Sequence, residues 1–214
     1  MSQVKQNIRI RFTKEGDIRF VSHHDLMRVF ERALRRAELP IAMSEGYHPR
    51  PRMSLPAALS VGYTGLNEVA DVGLCHWVRP DEFCTRLQAE LPEGVRILTA
   101  RVTSPHPSRQ PVELSYRVPL LAEHGLTPRR VDDLLARDEV TVIRRRKDES
   151  REIEIRPFIK ALRFEDGAVL MLLGCSNRGT ARPEEVMESL GAREGVDYLQ
   201  SAIERTHVRL ASSS

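Results

Sequence analysis

Cysteine is scarce: the 214 residues include three, Cys75, Cys84 and Cys175, and no two of them form a CxxC pair. An odd, scattered set argues against a disulfide framework and fits a reducing cytosol. It also excludes a resident iron–sulfur cluster, which needs several closely spaced thiolates. Aromatic side chains make up only 5% of the chain, so the core must be mostly Leu, Val, Ile and Ala. No stretch approaches the roughly 18–20 apolar residues that a membrane span requires. The opening MSQVKQNIRI has no apolar run behind its charges. The expectation is a cytoplasmic protein with no signal peptide and no membrane partner.

Lysine is scarcer still among the cations. Only Lys5, Lys14, Lys147 and Lys160 are lysines out of 33 basic residues. The rest are arginines, whose planar fork suits phosphate oxygens and base faces. The formal net charge is only +3, but it is unevenly spread. Residues 1–60 carry eleven Lys/Arg against six Asp/Glu, whereas residues 105–214 carry eighteen of each. The excess positive charge therefore lies in the first half. With 41% hydrophobic and 29% charged residues, the chain has ordinary globular composition and enough apolar material for a core.

The first half reads as a βαββαβ unit. Ile8, Ile10 and Phe12 alternate with Arg9 and Arg11, as in a half-buried strand. Glu15-Gly16-Asp17 is a turn, and residues 18–21 extend the strand or form a short arm. Ser22 and Asp25 have capping-box spacing ahead of a helix over residues 23–38, whose apolar stripe is Leu26, Val29, Phe30, Ala33, Leu34 and Ala37. Strands are expected over 41–44, 53–59, 68–78 and 95–102, with a helix over 80–91. The polar, proline-rich stretch 104–111, SPHPSRQP, is the best boundary, dividing the chain into domains 1–104 and 105–214. Beyond it, strands are expected over 112–121, 140–146, 151–164, 169–174 and 198–210, with helices over 127–137 and 182–190. The fold class this predicts is α+β, with two ferredoxin-like (βαββαβ) units in tandem, each an antiparallel sheet with helices on one face. The run Arg144–Lys147 is followed at once by Asp148-Glu149 and reads as the charged rim of a hairpin.

Two segments carry the functional signal. On the first helix, Arg28, Arg32, Arg35 and Arg36 fall at i, i+4, i+7 and i+8, on the face opposite the core stripe. Like charges so stacked repel one another, and a polyanion would relieve that repulsion. The following loop, residues 44–52, presents Tyr47, His48, Arg50 and Arg52 on a proline-stiffened backbone. An aromatic face can stack on an unpaired base while arginines take phosphates. A solvated helix face and an ordinary surface loop would leave the same pattern. His23 and His48 are the two histidines considered for general acid–base catalysis. Cys75-His76 is too closely set for a zinc pair and has no second pair beside it. No metal or cofactor is expected.

The segment RIRFTKEGDIRFVSHHDLMRVFERALRRAELPIAMSEGYHPRPRMS resembles the opening of the radical-SAM-linked protein family. Arg11-Phe12, Gly16 to Phe20, Ser22 to Leu26, the arginine-rich helix and Ser44 to Pro51 carry the likeness. It departs from the family pattern at His24, where a Leu is expected. The resemblance is dense through about residue 104 and implies a radical SAM protein as partner, without a settled mechanism. The element order is also similar to that of tandem ferredoxin-like RNA-processing proteins of CRISPR systems, which cut RNA without metal. The leading expectation is an RNA-binding accessory module that works with a radical SAM enzyme on tRNA, ribosomal RNA or another RNA. A metal-independent ribonuclease using His48 or His23 is one alternative. A protein-interaction module whose arginine face meets an acidic partner is another. Elemental analysis of the purified protein is expected to find no iron and no stoichiometric zinc; about one metal per chain would overturn the reading of its ligands.

Overall fold

The computed structural model of the chain describes residues 3–104, 107, 110–120, 126–146, 149–192 and 203–212. Part of the expected joint at 104–111, Lys147 and Asp148, and the start of the expected strand 198–210 lie outside them. Contacts divide the chain into two units, Met1–Pro111 with Leu210–Ser214, and Val112–Arg209.

In the first unit the elements run β1 (Gln6–Lys14), α1 (His23–Arg36), β2 (Met53–Ser54), β3 (Thr64–Leu74), α2 (Pro80–Gln88) and β4 (Val95–Thr103). Strand β1 lies between β3 and β4 and is antiparallel to both: Ile8 faces Val72 and Val102, and Ile10 faces Ala70 and Ala100. Ile8, Ile10 and Phe12 share one face of β1 and are buried with Phe30 and Leu34 of α1 and Phe83 and Leu87 of α2. The Phe12 and Phe30 rings meet edge to face, with centroids 4.9 Å apart, the favoured geometry for aromatic pairs.

The other face of β1 is polar but also buried. Asn7, Arg9 and Thr13 are almost inaccessible. Arg9 lies opposite Asp71 in the β1–β3 ladder and meets it as a two-pronged ion pair, with Nε 2.7 Å from Oδ1 and Nη2 2.9 Å from Oδ2. The side chains retain 9% and 1% of their exposure. At the start of the strand, the Gln6 amide imitates a backbone partner: its Nε2 donates to the Val78 carbonyl and its Oε1 accepts from the Val78 N–H, both at 2.9 Å.

The second unit contains β5 (Pro111–Pro119), α3 (Pro128–Leu135), β6 (Thr141–Arg146), β7 (Glu149–Glu154), β8 (Ile159–Glu165), β9 (Ala168–Ser176), β10 (Gly179–Thr180), α4 (Pro183–Ser189) and β11 (Glu204–Leu210). Strand β9 takes β8, β5 and β10 as antiparallel neighbours. Strands β6 and β7 form a separate two-stranded ribbon. Arg144 of that ribbon is engaged by Glu185 of α4 at 2.5 and 2.8 Å and donates to the Thr180 carbonyl at 2.5 Å. Its guanidinium pKa is raised, chiefly by the hydrogen bond to Glu185. Arg144 is therefore a structural tie.

The described residues form eleven strands, where two βαββαβ units would need eight, and four α-helices. The expectation of two ferredoxin-like units in tandem is overturned by this count. The expected strand 151–164 divides into β7 and β8 because Pro157 cannot continue the ladder, and a 3-10 turn at Arg156–Phe158 separates them. Around residues 41–59, Pro49, Pro51 and Pro56 remove donors. The two expected strands shrink to bridges at Ile41 and Met43 and to the two-residue β2. Residues 16–20 form a 3-10 turn rather than a strand. Among the described residues no helix is long and apolar enough to cross a membrane.

The Arg9–Asp71 pair yields the first stability prediction. Asp71→Ala leaves a guanidinium buried without its carboxylate and should cost about 3–5 kcal/mol, whereas replacing both partners with apolar residues should cost far less. Urea unfolding midpoints at constant slope test this. A loss of about 1 kcal/mol or less, the size of a surface pair, would mean that water reaches the site.

Candidate nucleic-acid interface

Helix α1 starts at a well-made cap. Ser22 Oγ accepts from the Asp25 N–H at 3.2 Å and donates to Asp25 Oδ2 at 2.7 Å. The cap satisfies one N–H that the first turn leaves without a partner. The Asp25 carboxyl is held below its ordinary pKa, first by the Ser22 hydroxyl and then by Arg28. The buried stripe is Leu26, Phe30, Ala33 and Leu34, so 3.6-residue spacing turns Arg28, Arg32, Arg35 and Arg36 outward, and all four are exposed.

The four arginines are not equivalent. Arg28 pairs with Asp25 one turn earlier at 3.0 Å. Arg36 is bound to Glu90, with Nε 2.7 Å from the carboxylate and Nη2 2.5 Å from the backbone carbonyl. Arg32 and Arg35 have no hydrogen-bond or ion-pair partner among the described residues. At the end of the helix, Arg86 of α2 donates to the Ala37 carbonyl from Nε at 3.0 Å and from Nη2 at 2.7 Å, and Nη2 also reaches the Glu38 carbonyl at 2.6 Å.

Residues 37–41 lead from α1 to an arm. Its base is tied to the edge of β3: Ala42 N–H donates to Gly73 O, and Gly73 N–H to Arg52 O, both at 2.8 Å. The arm closes on itself where Ser44 N–H donates to Arg50 O at 2.7 Å and Arg50 N–H to Ser44 Oγ at 2.9 Å. Its tip is exposed throughout, and Tyr47 keeps 95% of its accessible surface. The Tyr47 and His48 rings meet edge to face at 4.9 Å. The Arg50 guanidinium has no partner among the described residues. The Arg52 guanidinium donates one long bond, Nε to Met43 O at 3.4 Å.

His48 contacts the Tyr47 ring and, among the described residues, no carboxylate that would orient it as a base. His23 opens α1, whereas His48 lies on the arm that follows the other end of the helix. His23 lines a small recess with Phe12, Lys14, Leu26, Leu55, Ala57, Leu59, Glu68 and Val69, and that recess does not include His48. Lys14 and Glu68 are 1% and 4% exposed there. Lys14 Nζ donates to the Arg19 and Val21 carbonyls at 3.1 and 2.7 Å, tying the 3-10 turn to the sheet. Sequence reasoning passed over Lys14 and Glu68. The available signal was phase: Lys14 continues the inward alternation of Ile8, Ile10 and Phe12. It also passed over Trp77, which is 70% exposed. No cluster of three metal-type ligands occurs among the described residues.

A family model described as an uncharacterized protein conserved in bacteria (DUF2344) matches residues 7–183. Comparison with curated proteins finds no match.

The cap gives a prediction with a definite pH sign. Ser22→Ala should cost about 1 kcal/mol and move the Asp25 titration upward, toward an ordinary carboxylate. Because the folded pKa of Asp25 is depressed, its contribution is present above the unfolded pKa and is lost as pH falls through the folded one. The gap between parent and variant should therefore narrow in acid. Carboxyl NMR titration reads this directly, and an unmoved Asp25 would contradict it.

Proposed function

The chain belongs to this bacterial family, whose description assigns no activity, and we propose that it is an RNA-binding accessory module, gripping its ligand with α1 and the arm that follows. The observation that carries this reading is the pair Arg32 and Arg35, exposed on one helix face without partners among the described residues, with the bare Tyr47 ring beyond the end of that helix. Arg28 and Arg36 are ion-paired; Arg32 and Arg35 are not, among the described residues, and their repulsion favours an incoming polyanion. Arg50 adds a third unengaged guanidinium at the tip of the arm. Arginines on phosphates and an aromatic on a base are the usual means of holding unpaired RNA.

The partner in this proposal is a radical SAM enzyme, which would act on the RNA that this chain presents, tRNA and ribosomal RNA being the candidates. That part rests on the sequence resemblance of residues 9–54. Positioning alone lowers barriers by several kcal/mol in well-oriented reactions, so such a module contributes without chemistry of its own.

Salt titration of RNA binding tests the grip. Arg32→Ala with Arg35→Ala should leave stability within about 0.5 kcal/mol per site and flatten the salt slope by roughly one unit per lost phosphate contact. Tyr47→Ala should cost about 1–3 kcal/mol of binding with the slope unchanged. If both variants bind RNA as the parent does at every salt concentration, the surface lies elsewhere. If the parent binds an acidic protein partner and no RNA, the interaction-module reading replaces this one.

A further inference from the structure

Trp77 is the only tryptophan in the chain, and it is 70% exposed. Tryptophan offers a large, rigid aromatic face with a polar N–H at its edge, well suited to stacking on a base. Its turn is held from both sides. Ahead of it, Cys75 N–H donates to the Pro40 carbonyl at 2.8 Å; behind it, Gln6 takes both backbone groups of Val78 at 2.9 Å. The turn that displays the indole is thus anchored in the fold.

Its position is the second observation. Ile41 bridges Leu74, and the base of the arm is hydrogen-bonded to Gly73 on both sides. Trp77 is four residues beyond Gly73, and Tyr47 five before Arg52. An extended chain spans no more than about 3.6 Å per residue, so the backbone of Trp77 lies within about 14 Å of Gly73 and that of Tyr47 within about 18 Å of Arg52. The segments that carry these two exposed rings therefore leave the same end of β3, and the unengaged Arg50 shares the arm with Tyr47.

We infer that Trp77 is a second stacking platform of the same surface, and that the ligand is a single-stranded RNA segment with at least two unpaired bases, one on Tyr47 and one on Trp77. The inference rests on the RNA reading above and specifies its substrate class. A duplex keeps its bases stacked on one another and offers no free face to either ring, whereas an unpaired strand offers one per nucleotide. The unengaged arginines supply the charge complement for its backbone.

A single titration separates this inference from the reading beneath it. A short fluorescein-labelled single-stranded RNA is followed by anisotropy while Trp77, the sole indole, is followed by its own emission; the same strand annealed to its complement serves as the duplex probe. The expected result is binding of the single strand with quenching of Trp77, and weaker binding of the duplex without quenching. Trp77→Ala should weaken single-strand binding roughly 5- to 150-fold with an unchanged salt slope, and Trp77→Phe should restore part of it. If the single strand binds by anisotropy while Trp77 emission is unmoved and Trp77→Ala binds like the parent, this inference is overturned and the RNA reading stands. Equal quenching by the duplex overturns the single-strand assignment. An absence of binding by either probe overturns both.

Discussion

A strand buried on both faces governs the first unit. β1 turns Ile8, Ile10 and Phe12 toward α1 and α2 and encloses Arg9 on the opposite face, where only a carboxylate as well placed as Asp71 makes a guanidinium tolerable. The two ends of the same strand then position the features beyond the sheet. Lys14 binds the 3-10 turn that leads into the Ser22 cap, and Gln6 binds the turn that carries Trp77. The start of α1 and the Trp77 turn are thus fastened to a single nine-residue segment, and the register of β1 against β3 sets where each is presented.

The exposed arginines show how position sorts residues of one chemistry. Arg28 and Arg36 are paired with Asp25 and Glu90, whereas Arg32 and Arg35, between them, form no ion pair among the described residues. Exposed pairs of this kind contribute little to stability, so their effect is on the local field. Neutralising the two ends of the row concentrates its positive potential in the middle. The buried cations behave differently. Arg9 and Lys14, with the half-buried Arg144, are engaged by carboxylates or carbonyls and organise backbone.

What the sequence makes legible follows from which forces are local. The stripe and cap of α1 are local, and the helix starts at His23 behind Ser22 with the stripe inward. Its exposed arginines are legible for the same reason. The architecture is less so. Pro157 splits one apparent strand into two, and the prolines of residues 49–56 leave an arm where a strand pairing was expected; both were visible as residues but were outweighed by apolar alternation nearby. The recess around His23 was hidden because burial of Lys14 and Glu68 depends on β1–β3 register, which links residues over 50 positions apart. Trp77 gives no periodic signal, since it sits in a turn whose anchor, Gln6, is 72 residues from Val78.

The guanidinium of Arg86 at the end of α1 has a further effect on what can approach that end. The final carbonyls of a helix carry the negative pole of its dipole, which would oppose any phosphate drawn to Arg35 less than a turn away. Because Arg86 covers the Ala37 and Glu38 carbonyls, that pole is masked from within the fold. So α2, which contributes no residue to the proposed grip, weakens the negative field at the end of α1.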